Sequence, residues 1–375
     1  MRIFLLIAFT AAFISCSDIK IESKYSDNSK VIELVLSYDT LDINVDFLPF
    51  YTRYLFYEQN DQLHFLGFNH LSHSFDILNL DTKELRSLQL ERDGRNGIYS
   101  VGVFDYQDGQ VLFKGVKNSI YNYSIGSGEV TLYKKAGLPE RYQLGKRINN
   151  SQFESLAVSP DGANAVHKLY SLDYVTKSAA NIYSNEYYNT YVFRREGEDL
   201  ALNIPYPATE DIDNESYGDL DVMSFAFVSA DQFAVGFSYS DVIYKVDVSS
   251  GKIVATIKNI SGLELPEKLS GNDIKDYGQI DKHMRYQPHF KPIRYHSDQR
   301  ILYRYYKGKS NTGSFYDFSN SKLLLYNEDL DIIYNEKTAD NIYPRLFPYA
   351  KGFIGLARNR DLEDKLIFAK YEFKR

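Results

Sequence analysis

A two-part unit recurs six times between residue 47 and the C-terminus, and no other feature of the chain restricts its fold so strongly. Each copy opens with a polar turn and a strand: NDQLHFLGF from Asn60, DGQVLFKGV from Asp108, DGANAVHKL from Asp161, ADQFAVGFS from Ala230, SDQRILYRY from Ser297 and AKGFIGLAR from Ala350. A second strand follows in each, respectively SFDILNLDT, SIYNYSIGSGE, TYVFRREGED, VIYKVDVSSGK, KLLLYNEDLD and KLIFAKYEFK. Another polar turn and short strand often come next, as in NLDTKELRSLQL and KVDVSSGKIVATI. Asp-Gly, Ser-Gly and Asn-Asp pairs supply the hairpin turns, so each copy, about 55 residues long, reads as an antiparallel meander. Meanders repeated around an axis are how a β-propeller shields its sheet edges. The 33 tyrosines and 24 phenylalanines favour strands, and no long stretch carries a sustained helical period.

The segment KVIELVLSYDTLDINV (30–45) reads as one or two strands without a complete meander, while the sixth copy runs to Arg375 with little to spare. We therefore expect an all-β, six-bladed β-propeller of four-stranded antiparallel blades, with 30–45 completing the last blade and closing the ring. A seven-bladed ring is the first alternative and a pair of β-sandwiches the second. Copies three and five carry insertions, YVTKSAANIYSNEYYN (174–189) and YKGKSNTGS (306–314), expected as loops on one rim of the disc.

The chain begins MRIFLLIAFTAAFIS, in which Arg2 precedes an apolar run from Ile3 to Ile14. The run has the length of a signal-peptide core and is too short to span a bilayer. Small Ser15 then precedes Cys16, the one cysteine in the chain. This order resembles the lipobox of bacterial lipoproteins, although Phe13 stands where leucine is commoner. The resemblance implies cleavage before Cys16 and acylation of its thiol, as with palmitate. An ordinary signal peptide with a chance cysteine is the alternative. A lone thiol cannot form an intrachain disulfide, so lipidation gives Cys16 a purpose. The expected organisation is a signal peptide at 1–15, lipidated cysteine and polar tether at 16–29, and one propeller domain at 30–375. Removing 15 of 375 residues, Arg2 among them, takes the net charge from −7 to −8. That sign argues against a nucleic-acid partner, which needs a basic face. The expected location is the cell envelope, at the outer membrane, with the lipid as the membrane contact.

The stretches YHSDQRILYRYYKG (295–308) and LERDGRNGIYS (90–100), taken with the lipobox, resemble a family of Bacteroidota lipoproteins, a domain of unknown function with six-bladed propellers. His296 stands where that family commonly has aspartate. The resemblance implies fold and location and brings no activity with it.

No HExxH, metal-spaced His/Cys cluster, GxSxG or phosphate-cradling GxxxxGK occurs in the sequence. No metal site and no cofactor is implied. DIDNESYGDLD (211–221) lacks the EF-hand glycine and glutamate, having Ser216 and Val222 there, and reads as a solvated loop. The notable stretch is MRYQPHFKPIRYHSDQR (284–300), with Arg285, His289, Lys291, Arg294, His296 and Arg300 interleaved with Tyr286, Phe290 and Tyr295. It is placed to form the inner strand of blade five, with Arg345 at the comparable place in blade six and Arg95 and Asn96 leading into blade two. His289, Arg294, Arg345, Arg95 and Asn96 are the candidate ligand-binding residues. Arginines converging on a channel mouth suit an anionic ligand through bidentate hydrogen bonds; the alternative is that they neutralise acids between blades. Most tyrosines are expected in the packing, with Tyr183, Tyr187 and Tyr188 on an insertion as candidates for stacking on sugars. The expected role is binding without catalysis, toward an envelope protein or glycan. A propeller enzyme acting on glycans and a lipoprotein scaffold for a membrane complex are the alternatives.

Overall fold

The computed structural model describes residues 32–42, 51, 53–92, 98, 101–115, 118–139, 142–144, 156–171, 188–207, 215–257, 262–273, 276–314, 317–340, 342–357 and 365–374. Alternating side chains and tight polar turns fold the repeats into antiparallel sheets. Blade one is Tyr54–Gln59, Gln62–Asn69, Ser74–Asn79 and Leu85–Gln89. Blade two is Phe104–Gln107, Gln110–Lys114, Ser119–Ser124 and Val130–Lys135. Blade three has Leu156–Val158, Asn164–Ser171, Thr190–Arg194 and Leu200–Leu202, with Tyr142–Leu144 added beside the far end of its second strand. Blade four is Met223–Phe227, Gln232–Phe237, Ser240–Asp247 and Ile253–Ile257. In blade five the inner strand is split into His289–Phe290 and Arg294–His296, both paired to Ile301–Lys307, followed by Lys322–Tyr326 and Ile332–Lys337. Blade six is Ile342–Tyr349, Gly352–Ala357 and Lys365–Phe373, completed by Leu34–Asp42.

The first strand of each blade packs against the first strands of its two neighbours, and blade six meets blade one, so the inner strands form a closed ring of six. Leu34–Asp42 lies antiparallel along Lys365–Phe373 from Leu34 opposite Phe373 to Asp42 opposite Lys365. The Lys374 N–H adds a bond to the Glu33 carbonyl at 2.9 Å. Ile32, Leu34 and Leu36 turn inward while Glu33, Val35 and Ser37 remain exposed, the alternation of a strand with one buried face. Six blades closed by the N-terminal strand is thus the observed architecture. Aromatic rings fill the spaces between blades: Phe75 and Phe113 are 5.8 Å apart across blades one and two, Phe56 and Phe347 5.6 Å apart across blades one and six.

Antiparallel order gives the disc two different faces. Turns from first to second and from third to fourth strands lie on one, the hairpin face. Connections from second to third strands and the crossovers between blades lie on the other, the loop face. The insertion of copy five, 306–314, joins the second to the third strand and so lies on the loop face; that of copy three, 174–189, lies outside the described residues but for its last two. The crossover from blade four to blade five contains a helix, Tyr277–Tyr286, which the sequence reading did not anticipate. Asp276 caps it by accepting from the N–H groups of Gly278 (2.7 Å) and Gln279 (3.4 Å). Its buried residues are His283 and Met284, too few to show a period. Met284, Arg285 and Tyr286 therefore belong to this helix and not to the inner strand of blade five.

The acid-rich 211–221 segment also needs correction for its described part. Asp219 and Asp221 are buried, not solvated. Asp221 accepts from the Ser216 hydroxyl at 2.9 Å, and its carbonyl accepts from the Lys168 ammonium at 2.5 Å. Burial is tolerated because these partners replace water. Among the described residues there is no group of three or more His, Cys, Asp or Glu side chains arranged to hold a metal.

Candidate arginine site in the central channel

The split inner strand of blade five and the long inner strand of blade six bring Arg294 and Arg345 together. The Arg294 guanidinium lies 4.2 Å from the centre of the Phe347 ring. That of Arg345 lies 5.5 Å from the same ring and 4.8 Å from the Tyr54 ring, on the inner strand of blade one. Arg53, just ahead of that strand, donates through Nη1 to the Val101 carbonyl. No carboxylate among the described residues comes within 4 Å of Arg294 or Arg345. Both are half-buried. Burial, and next the neighbouring charge of Arg294, push the Arg345 guanidinium down to about 10, with Arg53 acting in the same direction. Aromatic faces stabilise cations in such stacks but do not neutralise them.

Among the described residues one carboxylate faces this group. Asp105, on the inner strand of blade two, accepts from the Tyr106 N–H at 3.0 Å and the Val158 N–H of blade three at 3.2 Å. Burial pushes its carboxyl upward, and the Arg294 charge works against that shift. Tyr303 donates its hydroxyl to the Leu346 carbonyl at 3.1 Å, and burial raises its phenol despite Arg294. Among the described residues, Arg294 and Arg345, with Arg53 nearby, thus face one carboxylate, Asp105, inside a chain of net charge −7.

The other basic residues of 284–300 disperse. His289 is buried near the loop end of blade five, its Nδ1 3.0 Å from the Gln287 carbonyl, opposite Lys307 in register. Burial, then Lys291 and Lys307, hold its imidazole well below the usual range. The strand break at 291–293 separates it from Arg294. Lys307 donates to the Arg285 carbonyl at 2.8 Å and is lowered to about 8 by burial. His296 packs against Phe353 and Phe373 at ring distances of 5.5 and 5.8 Å. Arg300 grips Glu328 through two nitrogens at 2.7 and 2.6 Å, and Arg285 pairs with Asp281 at 2.7 Å. Arg300 and Arg285 therefore pair with acids inside blade five and inside the helix, and not across an interface between blades.

Arg95, Asn96, Cys16, Tyr183 and Tyr187 lie outside the described residues. Tyr188 is 44% exposed, with its ring 6.1 Å from that of Tyr142. Sequence reasoning missed Arg53 and Asp105. Their signal was positional: YTRYLF and VFDYQDG immediately precede or form the inner strands of copies one and two.

No protein-family model matches the chain, and no curated protein does either. The solved structure of a DUF4221 family member from Bacteroides vulgatus superposes with a TM-score of 0.69 at 16% identity, over 92% of this chain and 99% of its own. A Bacteroides fragilis protein presumed to be exported gives 0.54 at 12% identity, over 94% of this chain and 98% of its own. At such identities the likeness is one of fold, and it agrees with the Bacteroidota resemblance of the sequence: the chain is a six-bladed β-propeller similar to a Bacteroides member of the DUF4221 family.

Proposed function

We propose that the protein is an exported, lipid-anchored propeller of the bacterial envelope that binds an anionic ligand in its central channel through Arg294 and Arg345. The observation that carries this reading is the pair of guanidinium groups sharing the Phe347 ring, with no carboxylate of the described residues at ion-pair distance. Two like charges held together are unfavourable until an anion lies between them, so part of the binding free energy comes from relieving their repulsion. Arginine forks suit the planar or tetrahedral oxygens of carboxylates, sulfates and phosphates. Asp105 repels the anionic end but accepts from a hydroxyl, which favours a hydroxylated acid such as an acidic sugar. Among the described residues the inner strands carry only Asp105 and Glu58 as acids, and Glu58 accepts from the Ala350 N–H at 2.8 Å at the hairpin end. A facing carboxylate pair of the glycosidase kind is not formed by these two roles, so binding is favoured over hydrolysis.

The test is thermal unfolding with sulfate, phosphate, glucuronate and galacturonate, each against a matched chloride control. At least one acid should raise Tm in the wild type and fail to do so in Arg345→Gln. Stabilisation of equal size in both proteins would count against the arginine site. Asp105→Asn, which removes the repelling charge, should strengthen binding of the same anion several-fold.

A further inference from the structure

Two blade interfaces end differently at the hairpin face. Between blades one and two, Tyr57 and Tyr106 stack with ring centres 3.9 Å apart, and His64 stacks on Tyr57 at 5.0 Å. Blade four instead offers the shorter Val228 and Gln232, on the two sides of its first turn, to Tyr295 of blade five. The shorter pair leaves a cleft of about 80 Å³ between the blades. Leu302, opposite Tyr295 in register, is its buried wall, and Ser229, Lys245 and Glu328 complete the lining.

The charged groups of the cleft are engaged. Lys245 donates across the two blades to the Glu328 carbonyl at 2.7 Å, and the Glu328 carboxylate receives Arg300 at 2.7 and 2.6 Å. Burial, and next the Glu328 charge, push the Tyr295 phenol up, so it stays protonated. The neutral groups are open. The half-buried Gln232 carboxamide has no hydrogen-bond partner among the described residues. The Ser229 hydroxyl accepts from the Asp231 N–H at 3.3 Å and keeps its own proton to donate. Paired charges beside an open amide, a hydroxyl and an aromatic ring suit a neutral ligand that carries an amide of its own. A dry cavity of roughly 150 Å³ takes a benzene ring, so this cleft takes about three or four heavy atoms, the size of an acetamido group.

We propose that the cleft between blades four and five binds the acetamido group of an N-acetylated sugar, whose ring stays outside on the hairpin face. The methyl packs on Val228, Leu302 and the Tyr295 ring, while Gln232 and Ser229 serve the amide N–H and carbonyl. Exposed Asp231 and Asp329, the chain neighbours of Gln232 and Glu328, stand beside the mouth and accept from ring hydroxyls. The bond from Lys245 to Glu328 spans the cleft before any ligand arrives, which lowers the cost of ordering it. Tyr295 follows Arg294 on one strand, so the two side chains leave opposite faces. The inference therefore does not rest on anion binding in the channel.

The test is titration by saturation-transfer NMR of the full chain with N-acetylglucosamine, N-acetylgalactosamine, glucose, glucosamine and Nε-acetylated lysine. At least one N-acetyl sugar should bind in the millimolar range, as so few buried atoms allow, with its acetyl methyl the most strongly saturated group. Glucose and glucosamine should bind at least about tenfold more weakly. Gln232→Phe, which fills the cleft, should abolish binding, and Gln232→Ala, which removes only the carboxamide, should weaken it by about three- to tenfold. Arg345→Gln should leave it unchanged. The Gln232 side chain makes no bond, so both variants should fold; if thermal unfolding shows that Gln232→Phe does not, Gln232→Ala decides alone. Equal affinity for glucose, or full binding in the Gln232 variants, would overturn the acetamido cleft. Loss of binding in Arg345→Gln would move the sugar to the channel and overturn it too. Tighter binding of the acetylated lysine would replace the sugar by an acetylated protein, and no binding of any of the five would retire the site.

Discussion

Arg345 is held by packing, with Tyr54 and Phe347 under its guanidinium and Arg294 beside it. Replacing it by glutamine removes a cation–aromatic stack but also relieves like-charge repulsion. Unfolding free energy should therefore change by no more than about 1 kcal/mol. A bridge to a buried carboxylate would instead make the loss about 3–5 kcal/mol. Urea unfolding of the single variant separates the two. His167 gives a second residue-scale expectation. It is fully buried in the second strand of blade three, and burial, then Lys114, push its imidazole down to about 3. The folded state thus refuses a proton that the unfolded chain accepts near the ordinary value of about 6.5. Above that pH the group has no pH-dependent effect. Below it, stability falls by up to about 1.4 kcal/mol per unit until about pH 3. His289, shifted in the same direction, adds to the trend. His167→Gln should flatten the decline between pH 6.5 and 4.5, measured as urea midpoints; an unchanged slope would rule His167 out as a source.

The strand Leu34–Asp42 covers an edge that would otherwise expose the Lys365–Phe373 ladder. Deleting 30–45 should lower Tm by many degrees and promote association, whereas deleting 17–28 should leave Tm nearly unchanged. Equal losses would contradict the ring closure. Blade one shows how tightly an element can depend on one glycine. A Cβ on Gly67 would stand 2.3 Å from the Tyr51 ring. The Tyr51 hydroxyl donates to buried Asp76 at 2.6 Å, and Asn69, Ser74 and Ser87 donate to the same carboxylate. Gly67→Ala must move Tyr51 and loosen that network, at a cost of about 1–3 kcal/mol. Gly126→Ala, where nothing lies within 4 Å, is the control for thermal unfolding.

At the scale of the whole molecule, Cys16→Ser should release the protein from membranes and abolish labelling by a tagged fatty acid; label retained in the variant would retire the lipid anchor. The disc itself was legible in the sequence because its information is local. Turn residues such as Asp108-Gly109 and Ser159–Gly162, with alternating strands beside them, mark each repeat without reference to the rest of the chain. The closing strand could be read too, since an incomplete sixth copy and a spare N-terminal strand imply each other. The capped helix Tyr277–Tyr286 was not legible, because two buried residues leave no period. Arg294 and Arg345 could be nominated from the sequence, but nothing local distinguished them from Arg300, which pairs with Glu328, 28 residues further along the chain. The repeating blades and the way the ring closes follow from residue patterns within each repeat. Which charges meet in the channel depends on the closed ring, because Arg53, Asp105, Arg294 and Arg345 come from four blades and share a neighbourhood only there.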